Sequence, residues 1–186
     1  MSTQAQLLDH AEGFVRARGF DAFSFADLAE SAQIRKASVH YHFPAKSDLS
    51  LALITRYRST FLEKLHMISD GNQTAGARVL GFLNLYRAAS DSGRSLCLCV
   101  ALSVTQNALP KDTVAELAAF HLDVTAWLEA AFRLAQADGS IRQVSDPRAE
   151  AQAAMAQAEG AQIMARAARD AARFEAGIQA LVARII

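Results

Sequence analysis

The chain has 186 residues, of which 52% are hydrophobic, so it can bury a substantial core. Lysine and arginine number 19 together, as do aspartate and glutamate, and the formal net charge is zero. This balance excludes a uniformly basic nucleic-acid-binding protein, so any such site must be local and offset by acidic surface elsewhere. Frequent alanine with only three prolines predicts an all-α fold.

The first residues lack the cationic start and unbroken apolar core of a signal peptide. No stretch approaches the ~20 apolar residues that a membrane span needs. The two cysteines, Cys97 and Cys99, do not make a disulfide framework. We therefore expect a cytoplasmic protein without a membrane partner.

The first four helices are predicted from apolar periodicity and stop signals. An apolar stripe indicates a helix from Thr3 to Arg18, ended by Gly19. A second helix begins at Ser24, three residues before Asp27 in a pattern that resembles a capping box, and ends near Ala32. A third covers Arg35 to His42, and a fourth runs from Lys46 or Ser47 to about Ser69.

The third helix carries the chemistry of a DNA reader. Val39 and Phe43 lie four residues apart and form its inward edge. The remaining side chains are on the outer side or its flanks: Lys36, Ala37, Ser38, His40, Tyr41 and His42. A helix of this size and polarity fits the major groove of DNA.

Individual side chains suit different parts of the duplex. Arg35 can reach two acceptors on guanine. Lys36 and Lys46 suit phosphates, and Ser38 and Tyr41 can donate to phosphate oxygens. The alternative from spacing alone is a solvated polar helix that covers a core.

The two histidines of the third helix do not indicate a metal site. His40 and His42 are two residues apart and point to different faces. We expect His42 to cap the fourth helix or to touch a phosphate.

An all-helical body follows. Its predicted helices are Thr74 to Ala89, Leu96 to Gln106, Pro110 to Ala137, Asp146 to Ala168, and a last one from Asp170. Small residues predict close helix packing along one face of the fourth of these: Ala149, Ala153, Ala156, Gly160 and Ala161. The last helix has an apolar stripe of Phe174, Ile178, Leu181, Val182 and Ile185, and we expect a homodimer through the last two helices.

A ligand pocket is expected between the middle helices. Aromatic and polar side chains of those helices are its candidate lining: Phe82, Tyr86, Gln106, Phe120, His121, Trp127 and Met155. The alternative is that each of them is plain core, which is the commoner role of such residues. An apolar lining with few charges predicts a small, weakly polar effector.

Cys97 and Cys99 are candidate redox-sensing thiols. On a helix they would lie ~200° apart and would not bond each other without local unwinding. A sensor needs a depressed thiol pKa and access. The alternative is that both are small core hydrophobes.

No enzyme pattern is present in the sequence. There is no nucleophile elbow, no phosphate-binding glycine loop and no cluster of histidine and carboxylate at metal spacing. We expect neither catalysis nor a cofactor.

The first quarter of the chain resembles the DNA-binding domain of the TetR family of transcriptional regulators. The residues that carry the resemblance are Gly19-Phe20, Phe23-Ser24, Asp27-Leu28-Ala29, Ala32, Ile34 to Val39, His40-Tyr41-His42-Phe43, Lys46 and Leu49. The resemblance implies that Lys36 contacts the DNA backbone or a base edge. It also implies phosphate or base contacts for Ser38, His40 and Tyr41, a backbone contact for Lys46, and a phosphate contact for Ser24 at the start of the second helix.

Three positions depart from the family pattern. Arg35 stands where a small hydroxyl residue is usual, Gln33 where glycine is usual, and His40 where the first aromatic is usual. These changes should alter which DNA sequence is read.

The resemblance implies a ligand-responsive repressor that binds double-stranded DNA at a pseudo-palindromic operator as a homodimer. It also implies a DNA-binding domain of residues 1–47 and an effector-binding and dimerisation domain of residues 48–186. A small organic effector would release the repressor. Two alternatives are a cysteine-based sensor of oxidants or electrophiles, and a helical ligand-binding dimer without operator binding.

Overall fold

A computed structural model describes residues 2–186, and the predicted all-α fold is confirmed. The α-helices in this range are α1 (Thr3–Arg18), α2 (Phe25–Ser31), α3 (Lys36–His42), α4 (Lys46–Gly71), α5 (Ala75–Ala89), α6 (Leu98–Ser103), α7 (Lys111–Asp138), α8 (Pro147–Ala168) and α9 (Ala172–Val182). The only strand-type pairing among the described residues is an isolated bridge between Ile141 and Ile185. None of the helices in this part of the chain is long and apolar enough to cross a membrane.

The chain divides into two compact units. The first contains residues 2–59 and Leu98–Phe120, and the second contains Thr60–Cys97 and His121–Ile186. The two units are defined by the contacts within each of them, whereas the boundary predicted after residue 47 separates parts with different predicted functions. That functional boundary stays a prediction.

In the first unit, α1 ends as its sequence predicts. Leu7, Leu8 and Val15 are buried. The Gly19 N–H donates to the Val15 carbonyl at 2.8 Å, and Gly19 has a φ of 93°, which glycine adopts without a Cβ penalty. The chain therefore leaves α1 sharply and enters a 3-10 turn that buries Phe20.

The predicted capping box starts α2. The Ser24 side chain accepts from the backbone of Ala26 and Asp27, and the Asp27 carboxylate accepts from the Ser24 backbone N–H. The helix ends at Ala32, as predicted, and Gln33 follows with a φ of 55°. Gln33 therefore adopts the left-handed conformation for which glycine is the usual residue.

One buried hydrogen bond and two partly exposed ion pairs join α4 to α7 and α1 within the first unit. The Ser50 and Thr113 hydroxyl oxygens, both on fully buried residues, lie 2.8 Å apart. Arg56 of α4 donates to the carboxylates of Asp9 at 2.7 Å and Glu12 at 3.1 Å on α1. These contacts hold α4 in a defined position against α1 and α7.

In the second unit, α8 and α9 pack closely at a pair of small residues. A Cβ placed on Gly177 would lie 2.7 Å from the Ala161 Cβ, so this crossing admits no larger residue at position 177. Phe174, Ile178 and Leu181 are buried inside the unit. Close approach is thus confirmed at Ala161.

Two expectations about the body need correction, and one stays a prediction. Helix α6 is shorter than predicted, so Cys97 precedes it in a non-helical segment and Gln106 begins a separate 3-10 turn. Ala149, Ala153 and Ala156 of α8 are exposed, so close packing of another helix against them stays a prediction. The stripe of α9 lacks Ile185, which lies beyond the helix and is half-buried.

Candidate functional site

The orientation of α3 is the first feature of the candidate site. Val39 and Phe43 are buried, as predicted, while the Tyr41 side chain is 83% exposed. Lys36 and Ala37 are also exposed. One face of α3 therefore anchors the helix and the opposite face is open to a partner.

Arg35 occupies the N-cap position of α3. Its backbone is extended, with φ −73° and ψ 143°, and its side chain makes no cap hydrogen bond. The residue is exposed. Because the guanidinium is not used to cap the helix, it can extend from the start of α3 beside Lys36.

His40 is exposed, and its ring contacts two neighbouring parts of the chain. Its ring meets the Phe25 ring edge to face, with 5.0 Å between centroids. Its Nδ1 lies 3.3 Å from the Pro44 carbonyl oxygen. His40 thus links α2 to the end of α3, and its predicted contact with DNA stays a prediction.

His42 and Ser38 lie on the flanks of the exposed face. The His42 ring packs against the Tyr41 ring with 5.1 Å between centroids, and His42 is half-buried. Ser38 is also half-buried, and its backbone N–H donates to the Arg35 carbonyl at 2.9 Å. The Tyr41 ring therefore contacts the His42 ring and otherwise projects into solvent.

Ser24 uses its hydroxyl within the capping box. The hydroxyl donates to Asp27 Oδ2 at 2.8 Å, and the Ser24 backbone N–H donates to the same oxygen at 2.6 Å. These hydrogen bonds from the Ser24 backbone and side chain lower the pKa of Asp27 from its ordinary value. A phosphate contact by Ser24 would have to share this hydroxyl with Asp27.

Lys46 lies at the start of α4 and points toward the connection between α1 and α2. Its Nζ donates to the Phe20 carbonyl at 2.7 Å. The ammonium also lies over the rings of Phe20 and Phe23, at 4.7 and 4.6 Å from their centroids. Burial lowers the pKa of Lys46 from its ordinary value, while Asp21 and Asp27 oppose that shift.

The candidate pocket residues fall in both units. Gln106 and Phe120 belong to the first, where Gln106 is exposed and the Phe120 ring packs 5.7 Å from that of Tyr57. Phe82 and Tyr86 belong to the second, are fully buried, and have ring centroids 5.0 Å apart.

The other candidate pocket residues of the second unit have defined polar partners. The Tyr86 hydroxyl lies 3.5 Å from Met155 Sδ. Trp127 Nε1 donates to the Ser69 hydroxyl at 2.9 Å. His121 Nε2 and Glu159 Oε1 are 3.0 Å apart.

Cys97 and Cys99 are both buried and do not form a disulfide. The Cys97 backbone N–H donates at 2.9 Å to the Oε1 of Gln162, which is fully buried on α8. The Gln162 amide also donates to the Tyr86 carbonyl at 2.6 Å. Gln162 therefore fixes the segment before α6, and burial of the thiols gives them the environment of core residues.

Gln162 and Phe25 are two contact residues that were not predicted from the sequence. Gln162 interrupts the small apolar residues Ala158, Ala161 and Ala165 on the buried face of α8. A single amide among such residues indicates a buried polar role, and this signal was available. The contact between Phe25 and His40 was not, because it depends on the angle between α2 and α3.

Comparisons with known proteins agree with the geometry of α2 and α3. The model of the bacterial regulatory proteins of the tetR family matches residues 7–53. The transcriptional regulator AcuR of Cereibacter sphaeroides is 30% identical over 156 residues, which are 80% of this chain and 69% of AcuR.

Solved structures extend the likeness over nearly the whole chain. A TetR-family regulator from Agrobacterium tumefaciens is 29% identical with a TM-score of 0.92, over 98% of this chain and 97% of that one. A TetR regulator from Legionella pneumophila is 24% identical with a TM-score of 0.89, over 100% and 98%. The chain belongs to the TetR family of DNA-binding transcriptional regulators, so a regulator rather than an enzyme is confirmed.

Proposed function

We propose that the protein is a ligand-responsive repressor that binds a pseudo-palindromic operator as a homodimer. The exposed face of α3 carries this proposal, because Tyr41 projects there while Val39 and Phe43 hold the helix from behind. Residues 1–47 form the DNA-binding domain in this proposal, and residues 48–186 bind the effector and the second subunit. Ligand-responsive repression is typical of the family.

Arg35, Lys36 and Tyr41 are the proposed principal DNA contacts. Arg35 and Lys36 supply charge at the start of α3, where a recognition helix enters the major groove. Arg35 suits guanine, and Lys36 suits a phosphate. Ala37 is exposed between them and Tyr41, and it is small enough to let the helix approach the bases.

Secondary contacts with the DNA are proposed for five further residues: Ser24, Ser38, His40, His42 and Lys46. Two of them already have strong partners within the protein, since Ser24 binds Asp27 and Lys46 binds the Phe20 carbonyl. Base specificity is therefore assigned to the side chains that lack such partners.

The homodimer is proposed to form through α8 and α9. Exposed or half-exposed small and apolar residues follow each other along α8 at alternating steps of four and three: Ala149, Ala153, Ala156, Gly160, Ile163 and Ala167. This heptad spacing is that of a seam between packed helices. The proposed dimer is therefore supported by this seam on α8, because the apolar stripe of α9 is buried within the subunit.

Sedimentation tests the subunit interface. Ala156→Glu places a charge in the seam and should give a monomer, whereas Ala88→Glu, on an exposed position of α5, should remain a dimer. Wild-type protein that sediments as a monomer would refute the proposed dimer.

The proposed effector is a small, weakly polar organic molecule held by the second unit. The buried rings of Phe82 and Tyr86, with Met155 beside the Tyr86 hydroxyl, support this proposal. Trp127 and His121 are proposed to border the same site, and Gln106 and Phe120 stay predictions. Effector binding would favour a spacing of the two DNA-binding domains that no longer matches successive major grooves.

A gel-shift experiment tests the function as a whole. Purified protein is mixed with the DNA upstream of its own gene, with and without candidate effectors. A retarded band that effector abolishes supports the proposal. Retardation of every fragment with equal affinity, whatever the effector, refutes it.

A further inference from the structure

An arginine-lined cleft lies in the second unit, where the turn after α5 meets the end of α8. Its volume is about 560 Å³, and its lining is formed by Ser92, Gly93, Arg94, Arg166 and Arg169. The lining thus contains three guanidinium groups and no carboxylate. This concentration of charge stands out in a chain whose formal net charge is zero.

The turn that forms one wall has an unusual backbone. Asp91, Ser92 and Gly93 have φ values of 44°, 56° and 81°, so three consecutive residues adopt left-handed conformations. A Cβ on Gly93 would lie 2.9 Å from the Ala165 carbonyl oxygen, which shows how closely the turn approaches α8. Backbone strain of this kind is often concentrated at functional sites.

A hydrogen bond from a guanidinium of α8 connects the two sides of the cleft. Arg166 Nη1 of α8 donates to the Arg94 carbonyl oxygen. The Arg94 side chain binds the Asp91 carboxylate, with Nη2 and Oδ1 2.8 Å apart. The cleft is therefore built by contacts between its own lining residues and the adjacent turn.

The nearby carboxylates do not pair with the Arg169 guanidinium. Asp170 Oδ1 accepts from the Ala172 N–H at 2.9 Å, and its Oδ2 lies 3.9 Å from Arg173 Nε, so this carboxylate serves the start of α9. Asp91 is paired with Arg94. The Arg169 guanidinium makes no hydrogen bond or ion pair among the described residues.

A cation near the C-terminal end of a helix interacts favourably with the helix dipole. This interaction accounts for the presence of one of the three arginines in the cleft, but not for the other two. Arg166 lies in the last turn of α8, where a cation is favourable. Arg94 comes from a different element, and Arg169 follows the helix with a φ of 51°. Glycine adopts that φ without strain, whereas arginine does not, so the side chain at position 169 is retained at a conformational cost.

We propose that this cleft binds phosphoryl groups. Guanidinium groups match the oxygens of a phosphate in pairs, and three of them suit an anion with more than one charge better than a single carboxylate. The volume is that of a pocket for a ligand of nucleotide size. The phosphoryl group comes either from a small phosphorylated metabolite or from a nucleic-acid backbone, and the site is separate from the recognition helix.

Calorimetric titration with inorganic pyrophosphate and with ADP at low ionic strength tests the small-molecule source. The informative variant is Arg169→Gly, because glycine suits the φ of 51° and the fold is kept. The expected result is binding by the wild type that the variant weakens roughly tenfold, as for the loss of one hydrogen bond to a charged group. The control is Arg148→Ala, an exposed arginine in the first turn of α8, which should bind as the wild type does.

The salt dependence of DNA binding tests the backbone source. If the cleft holds a DNA phosphate, Arg169→Gly should lower the slope of log affinity against log salt by about one for each subunit, and Arg148→Ala should not. An unchanged slope with bound pyrophosphate or ADP identifies a small-molecule site. The proposal is overturned if Arg169→Gly and Arg148→Ala behave alike in both measurements, and this outcome does not depend on whether α3 binds an operator.

Discussion

The Lys46 ammonium and the Phe20 carbonyl oxygen are 2.7 Å apart, so the start of α4 is bound directly to the connection between α1 and α2. The rings of Phe20 and Phe23 face the same ammonium. A charge-assisted hydrogen bond and two cation–π contacts therefore meet at one atom. This relationship gives Lys46 a structural role in addition to its proposed position at the DNA surface.

Lys46→Met should lower the free energy of unfolding by about 1–3 kcal/mol, because the hydrogen bond to the Phe20 carbonyl is lost. Urea denaturation measures this change. The control is Lys36→Met on the exposed face of α3, which should leave stability within about 0.5 kcal/mol and lower the salt slope of DNA binding by about one for each subunit. Equal stability of the Lys46→Met variant and the wild type would contradict the structural role.

Tyr41→Ala should abolish specific DNA binding and leave the circular dichroism spectrum unchanged, because the side chain is 83% exposed. Phe43→Ala, two residues away in the buried core, should instead lower the free energy of unfolding by about 3–5 kcal/mol. A loss of helicity in Tyr41→Ala would show that the tyrosine is needed for folding.

Gln33→Gly should raise the free energy of unfolding by about 1 kcal/mol, because glycine adopts the φ of 55° without the strain that a Cβ causes. The same substitution at Gln152, exposed in the interior of α8, should lower it by about 1 kcal/mol. Thermal or chemical denaturation shows whether the free energy of unfolding rises or falls in each variant. If both variants lose stability, the turn after α2 does not have the left-handed conformation.

The Asp27 carboxylate should make stability depend on pH in the acid range. Its pKa in the folded state is lowered by the Ser24 backbone N–H and then by the Ser24 hydroxyl. Between this lowered pKa and the ordinary value, the unfolded chain binds more protons than the folded one. The contribution is therefore fully present above the ordinary pKa of 3.8 and is lost as pH falls through the lowered value.

Asp27→Asn removes that contribution. Stability curves of the wild type and the variant, measured by denaturation from neutral pH downward, should converge as the pH falls below the ordinary range of aspartate. Curves that stay parallel across the whole range would mean that the capping box does not hold the carboxylate in its charged form.

Local signals in the sequence were enough to predict helices α1 to α3 and their buried side chains. The Ser24–Asp27 capping box, the Gly19 stop and the inward edge of Val39 and Phe43 each depend on residues close in the chain. Such short-range patterns are the ones that sequence periodicity and capping chemistry report.

The errors lie where packing across the sequence decides the outcome. Gln162 binds the Cys97 backbone 65 residues away, and the chain before α6 is non-helical where a helix was predicted. Phe174 and Ile178 of the apolar stripe of α9 are buried within their own unit, so the predicted dimer contact through the last two helices has to use other residues. No period or cap in the sequence distinguishes a stripe that a neighbouring helix covers from one that a second chain covers.

Hydroxyl-radical footprinting on the DNA upstream of the protein's own gene tests the central claim most directly. Two symmetric protected half-sites are expected, with centres about one DNA turn or roughly 10 base pairs apart, as for a dimer that places two α3 helices in successive major grooves. Tyr41→Ala should lose both, and Arg148→Ala should keep both. A single unsymmetric footprint, or one that Tyr41→Ala leaves intact, would contradict the account.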